Sequence, residues 1–324
     1  MNKLIKNSIL ICLPIFAIII VGFGLPPDPL FKNSFYFAQL DKNLLLKTTV
    51  SPRLILVGGS NISFGVDSKI LKDSLKLNPI NTGIDARLGL KFMLHNTLPY
   101  IKRGDIVVIV PEYNQFYDGF SEGKTELLAM IDVTKTLCKI DLSQFLMILP
   151  LAPSYALAKF RKAVSPPTFD NSTIGVYERK SFNSFGDTYI HWSLSKTNVA
   201  IIRSVGLTYN PSPLVECIKF AKKARNRGAQ VFFSFPAFQD SSYDLNLQKI
   251  RHIEMCMHET GIPVIGTARE YRVVDSLTFN TPYHLIRSGV VWRTNILAHE
   301  LHLKLAKNVL QLNCPHSAGV QVNQ

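Results

Sequence analysis

The chain predicts an α/β fold: a three-layer α/β/α body built on a mostly parallel sheet, preceded by an N-terminal transmembrane helix. Three observations carry this. Short apolar runs alternate with helical patterns, as in a parallel sheet covered on both faces. The clearest runs stop at turn formers, Gly58-Gly59, Pro111 and Pro236. The stretch from Ser8 to Leu25 carries no charged side chain.

That first stretch, as a helix rising 1.5 Å per residue, spans about 27 Å, enough for the hydrocarbon core of a bilayer. A membrane helix tolerates Pro14. A cleaved secretory signal has a shorter apolar core and a small-residue cleavage site. Here Pro26, Pro27, Asp28 and Pro29 follow instead, which favours an uncleaved anchor over residues 1–25. Lys3 and Lys6 precede the run, so the N-terminus is expected in the cytoplasm and the body on the periplasmic or extracellular side. Residues 26–50 read as a juxtamembrane linker with some helical character, 51–312 as the folded body and 313–324 as a tail.

Within the body, Arg53–Val57 reads as a buried strand that feeds the tight turn Gly58-Gly59-Ser60. A helix is expected over Ser68–Leu75 and a second strand with its loop over Asn78–Gly83. A helix over Leu88–Leu98 and the clearest strand, Asp105–Val110, come next. Residues 118–205 interrupt the rhythm with Pro150, Pro153, Pro166 and Pro167, then a polar run with Asn171 and Ser172. They read as an insertion, partly helical, over one end of the sheet. Regularity returns with a basic-faced amphipathic helix over Leu214–Arg227 and a strand over Gln230–Phe235. A helix over Leu245–Thr260, a short strand over Ile262–Ile265 and a last helix from Arg287 or Ser288 to Leu312 complete the body.

Composition narrows the function classes. Apolar residues make up 47% of the chain and charged ones 18%, which is globular rather than disordered. The net charge of +13 comes from scattered Lys and Arg, without the basic stripe and interleaved aromatics of a nucleic-acid binder. It suits an exported protein beside anionic lipid or an acidic envelope polymer, so membrane and glycan are expected partners and nucleic acid is not. Cys12, Cys138, Cys217, Cys256 and Cys314 form no C-x-x-C pair, so no metal or other cofactor is expected. One disulfide and free buried thiols both fit them. His299 and His302 are three apart rather than the four of a zinc helix and read as a solvated face. Asp67 and Asp85 suit caps or turns. Asn61-Ile-Ser63 and Asn171-Ser-Thr173 fit a glycosylation sequon. Tyr189 and Trp192 suit either a sugar cleft or local packing.

In an open parallel sheet, ligands bind beyond the carboxyl ends of the strands. The first strand presents Ser60 there, within Val57-Gly-Gly-Ser-Asn-Ile-Ser-Phe-Gly65, on a sharp turn beside backbone N–H groups suited to an oxyanion. An ordinary flexible turn has the same composition. His284 stands in a loop just before the last helix, where a structural histidine is also common. The two together, with their order and strand context, resemble the SGNH (GDSL-like) hydrolase superfamily, more closely its membrane-anchored bacterial branch. The resemblance covers roughly residues 50–312. It rests on Leu56-Val-Gly-Gly-Ser60-Asn, on Ile80-Asn-Thr-Gly83-Ile-Asp-Ala86-Arg-Leu-Gly89, and on Tyr283-His284-Leu with Gly289 and Arg293-Thr294.

The resemblance implies an SGNH/flavodoxin-like sheet and serine ester chemistry. Ser60 would attack an acyl carbonyl, and His284 would take the proton and return it to the leaving alcohol. The oxyanion would be held by the N–H of Ser60 and a main-chain N–H between Gly83 and Ala86. The pattern departs at two points. Thr281 stands where the superfamily usually has the aspartate that orients its histidine, which leaves Asn280 and Glu112 as candidate orienters. At the end of the third strand, Tyr113 and Asn114 replace the expected asparagine register as side-chain oxyanion donors. Two functions follow: an esterase or acyltransferase for acyl groups, O-acetyl above all, on envelope or extracellular polysaccharide, or a catalytically weakened domain that binds acylated glycan or assists a membrane-bound O-acyltransferase.

Overall fold

A computed structural model describes residues 2–25, 34–135, 140–164 and 175–313. Pro26 to Pro29, Cys138, Pro166, Pro167, the sequon at Asn171 and the tail beyond Asn313 lie outside the described residues. The first helix, α1 (Asn2–Gly24), contains Lys6–Gly24, the one candidate span among the described residues that is long and apolar enough to cross a membrane. Only 6% of its most apolar stretch is buried, so its apolar side chains find no protein core to enter.

The fold is α/β. Four parallel strands, β1 (Arg53–Gly58), β2 (Asn78–Asn81), β3 (Ile106–Val110) and β4 (Gln230–Phe233), lie in the order β2-β1-β3-β4. β3, β1 after Arg53 and β4 after Gln230 are continuous apolar runs because both faces are covered. Alternation along each strand divides the core. Ile55, Val57, Val107, Ile109, Val231 and Phe233 face one cluster, and Leu54, Leu56, Val108, Val110 and Phe232 face the other. Helices α5 (Leu90–Thr97), α9 (Ser212–Asn226) and α11 (Leu247–Glu259) supply the first cluster; α4 (Ser68–Leu75) and α12 (Arg287–Asn313) supply the second. In α9 the buried residues Leu214, Cys217, Phe220, Ala221 and Ala224 recur at helical spacing.

Several boundaries differ from those expected. Ile262–Ile265 is not a strand but a single parallel bridge, Phe233 to Val264, because Pro263 cannot donate to a ladder. Gln230–Phe235 stops at Phe233. Leu245 ends a separate helix, α10 (Asp240–Leu245), and Asn246 breaks it from α11. Leu88 closes a 3-10 turn, Ala86–Leu88, and Gly89 at φ +83° separates that turn from α5. A small parallel pair, β5 (Phe238–Gln239) and β6 (Arg272–Val273), lies apart from the main sheet.

The segments read as linker and insertion are tied closely to the body. Helix α2 (Ala38–Thr48) belongs to the body: Gln39, Lys42 and Leu46 are buried. Lys42 Nζ donates to the carbonyls of Asn81 (2.9 Å) and Gly186 (2.6 Å). Burial pulls that ammonium down to about 7. Within the insertion, α6 (Thr125–Thr134) is core, with Leu127, Met130 and Ile131 buried. Further on, Asp187 is sealed beside the end of β2, accepting from Ser68 N and Oγ and from Asn81 Nδ2 at 2.7–2.8 Å. Phe185 and Ser63 carbonyls accept from Asn81 N and Thr188 N. The segment is therefore stitched to the carboxyl end of the sheet.

At the opposite end, Arg53 is completely buried. Its Nε donates to Asp105 Oδ1 at 2.8 Å, and its other nitrogens reach the carbonyls of Leu46 and Tyr100. The pair joins the starts of β1 and β3 to α2. Removing one partner strands a charge in the interior. Asp105→Ala is expected to destabilise the protein by about 3–5 kcal/mol, read as a lowered urea midpoint; a change under about 1 kcal/mol would show that water reaches the guanidinium.

Candidate active site

The site forms where β1, β2 and β3 end. In the β1–β3 register Gly58 faces Val110, so the residues two further on, Ser60 and Glu112, come out side by side. Ser60 opens the short helix α3 (Ser60–Ser63) and is half-buried. The turn is tight. A Cβ on Gly58 would stand 2.5 Å from the Val110 carbonyl, and one on Gly59 about 2.9 Å from Ala86 N and Cβ. A Cβ on Gly83 would meet the Gly59 carbonyl at 2.5 Å. The second sequence block is thus pressed against the serine turn, and side chains at these glycines would push it away.

Two of the expected residues meet here, Ser60 and Ala86. The backbone N–H groups of Ser60 and Ala86 make no hydrogen bond among the described residues. A buried-side N–H without a partner is uncommon, and two beside a hydroxyl suit an incoming oxyanion. Gly83 does not join them, because its N–H donates to Asn81 Oδ1 at 3.0 Å. Tyr113 is also excluded as an oxyanion donor. Its ring is buried against Phe238 and Tyr283, and no hydrogen bond joins its hydroxyl to Ser60 among the described residues. Asn114 keeps a buried, unpaired Oδ1, and no hydrogen bond joins it to Ser60.

Glu112 takes a different part from the one expected. It does not orient His284. Its Oε1 accepts from Ser60 Oγ at 3.3 Å and from Asn61 N at 3.2 Å. Burial pushes the carboxyl up to about 8, against the partial counter-pull of those two donors. Gln115 holds the loop in place: its Oε1 accepts from Glu112 N and its Nε2 donates to the Ala86 carbonyl at 3.3 Å.

His284 is buried, with Nδ1 2.8 Å from Asn280 Oδ1, so Asn280 is its orienter. The Asn280 amide is itself aimed, since its Nδ2 donates to Tyr177 Oη at 2.9 Å. The imidazole stacks on Phe64 with centroids 4.1 Å apart and planes 7° from parallel. Burial, then the neighbouring His191, hold it down at about 3. Among the described residues no hydrogen bond joins His284 to Ser60, and none reaches its Nε2. A carboxylate partner would have raised the basicity of this ring; an amide fixes only its direction.

Phe64, His191, Tyr177 and Gln115 belong to this neighbourhood and went unrecognised in the sequence. Phe64 alone carried a signal, four residues after Ser60. Asp67 and Asp85 serve as caps, accepting from Lys69 N and Arg87 N at 2.9 Å. Trp192 has one ring face covered by the Arg287 guanidinium at 4.0 Å, which leaves Tyr189 the more open of the two rings. His299 and His302 lie exposed on α12, and among the described residues no three His, Cys, Asp or Glu side chains converge as a metal site. Cys12, Cys217 and Cys256 are free thiols.

Glu112 links the site to stability. Its folded-state value of about 8 lies above the ordinary 4.5, so the stability it contributes as a neutral carboxyl is full below pH 4.5 and is lost as pH rises through 8. Glu112→Gln removes that loss. The variant is expected to gain on the wild type between pH 5 and pH 9, by on the order of a few kcal/mol, in thermal or urea unfolding; a gap independent of pH would mean that the carboxyl is not desolvated. No protein-family model and no curated protein matches the chain.

Proposed function

We propose that the protein is a membrane-tethered domain of SGNH type, with the three-layer α/β/α arrangement of that superfamily, that cleaves or transfers acyl groups by way of Ser60. The observation that carries this reading is the Ser60 hydroxyl, hydrogen-bonded to the buried Glu112 and flanked by two unengaged N–H groups. The substrates are O-acylated, chiefly O-acetylated, envelope or extracellular polysaccharides. The charge of +13 favours an acidic polymer. Lys3 and Lys6, in the first turns of α1 ahead of its uncharged stretch, support a cytoplasmic N-terminus, with the body periplasmic or extracellular.

Ser60 Oγ bonds to the acyl carbon while its proton passes to the ionised Glu112 carboxylate. The carbonyl oxygen becomes an oxyanion between the N–H groups of Ser60 and Ala86. Collapse expels the sugar oxygen, which takes up the proton, and leaves acyl-Ser60. Water or a second hydroxyl then receives the acyl group. His284 offers Nε2 as a second proton acceptor, poorly suited because Asn280 cannot stabilise an imidazolium by charge.

The two acceptors leave different pH signatures. With Glu112 as base, p-nitrophenyl acetate turnover by the full-length protein in detergent rises with pH through about 8 and levels above it. With His284 as base, the only inflection lies near 3. Ser60→Ala is expected to lower turnover at least about 10³-fold and abolish labelling by a fluorophosphonate. Glu112→Gln is expected to cost about 10²-fold or more and flatten the profile. Equal rates for wild type and Ser60→Ala would sink the enzyme reading. The Asn280–His284 pairing then favours the second reading, a weakened domain that binds acylated glycan or assists a membrane-bound O-acyltransferase, checked by glycan affinity in the same preparation.

A further inference from the structure

A second uncharged stretch runs from Leu142 to Ala158, between Asp141 and Lys159. It forms α7 (Leu142–Ile148), a 3-10 turn (Leu149–Leu151) and most of α8 (Ala152–Val164). Its polarity is inverted. On α7 the buried face is Gln144 and Ile148, with Gln144 Nε2 donating to the Glu122 carbonyl at 3.1 Å. The outward stripe at i, i+3, i+4 and i+7 is Leu142, Phe145, Leu146 and Leu149, with Leu142 71% and Leu146 57% exposed. Water is a poor solvent for such a face, and four apolar residues on one stripe are not scattered surface hydrophobics.

The position of α1 says what covers it. Helix α8 packs along the end of α1. Phe23 and Tyr155 rings lie 5.5 Å apart, a Cβ on Gly22 would overlap Ala156, and Lys159 Nζ donates to the Leu25 carbonyl at 2.7 Å. Small residues at the closest approach are what membrane helices use to pack. The contacts advance together, 22 and 23 with 155 and 156, then 25 with 159, so the two helices run parallel. The start of α8, seven residues before Lys159, therefore lies about 10 Å from Leu25 toward the middle of α1. The span Lys6–Gly24 is just long enough for the hydrocarbon core, so it has no slack to lift that level out of the bilayer.

We propose that α7 and the turn into α8 lie in the outer leaflet of the lipid bilayer, with the Leu142, Phe145, Leu146 and Leu149 stripe against acyl chains, as a monotopic element beside α1. The depth matches the roughly 5–10 Å at which interfacial helices bury their apolar faces. The charged flanks face the body: Lys159 pairs with the buried Asp132 and caps α1, and Asp141 caps α7 through Gln144 N at 2.9 Å. The proposal rests on α1 crossing a membrane.

The full-length chain, carrying a single environment-sensitive fluorophore on cysteine, is reconstituted into phosphatidylcholine–phosphatidylglycerol vesicles with or without nitroxide-bearing acyl chains. The label sits on native Cys12 in α1, on Leu146→Cys, or on Leu207→Cys, which is 86% exposed on the body, the other cysteines being replaced. Lipid-borne nitroxide is expected to quench the Cys12 and Leu146→Cys labels severalfold and leave the Leu207→Cys label unchanged. Quenching at Cys12 with none at Leu146→Cys overturns the proposal while keeping the anchor, and leaves the stripe to a membrane protein partner. No quenching at Cys12 overturns both. Equal quenching at Leu146→Cys and Leu207→Cys also overturns it, since the body would then lie on the lipid without preference.

Discussion

Everything at the candidate site depends on how closely the ends of β1, β2 and β3 approach. Gly58, Gly59 and Gly83 have no space for a side chain: each would drive a Cβ into a neighbouring carbonyl or into Ala86. That crowding presses the second block, at Gly83 and Ala86, against the serine turn at Gly59. It also excludes water from Glu112, which is why a carboxyl at a strand end behaves as a neutral group near pH 7. Packing and electrostatics are here one constraint seen twice.

The two buried polar knots at opposite ends of the sheet differ in kind. Arg53–Asp105 is an ion pair whose remaining donors are used up by carbonyls. It holds strand starts and carries no open valence. Where β1 and β3 end, the N–H groups of Ser60 and Ala86 and the side-chain oxygens of Asn61 and Asn114 lack partners among the described residues. A protein seldom leaves so many unpaired in one place unless something else binds there. His284, by contrast, is held from three sides, by Asn280, Phe64 and Thr281, whose hydroxyl accepts from its N–H at 3.2 Å.

Much of the architecture was legible because parallel strands buried on both faces are plain apolar runs; Arg53–Val57 and Asp105–Val110 announce themselves. The turn that carries Ser60 was legible too, and Asn280 was one of the two partners for His284 that the resemblance left open; the hydrogen bond goes to Asn280. What escaped reading depended on register. Ser60 and Glu112 are neighbours only because Gly58 faces Val110, and no local pattern encodes which residues of two separate strands align. Helix α2 escaped for another reason. It buries Gln39, which donates to Asn43 one turn on, and Lys42, which donates to the distant carbonyls of Asn81 and Gly186, so it looks like linker. Tyr113 fell in the expected register, but the 3-10 turn after Glu112 sends its ring into the core.

The contact between α1 and α8 has a mechanical meaning. A body joined to its membrane helix only through a flexible segment samples all tilts, and its site sweeps a hemisphere. Here Gly22 against Ala156 and Lys159 on the end of α1 fix the angle between helix and body. The Ser60 turn is then held at one bearing relative to α1. In the proposed membrane-tethered arrangement, an acylated polymer would meet that turn from a single direction.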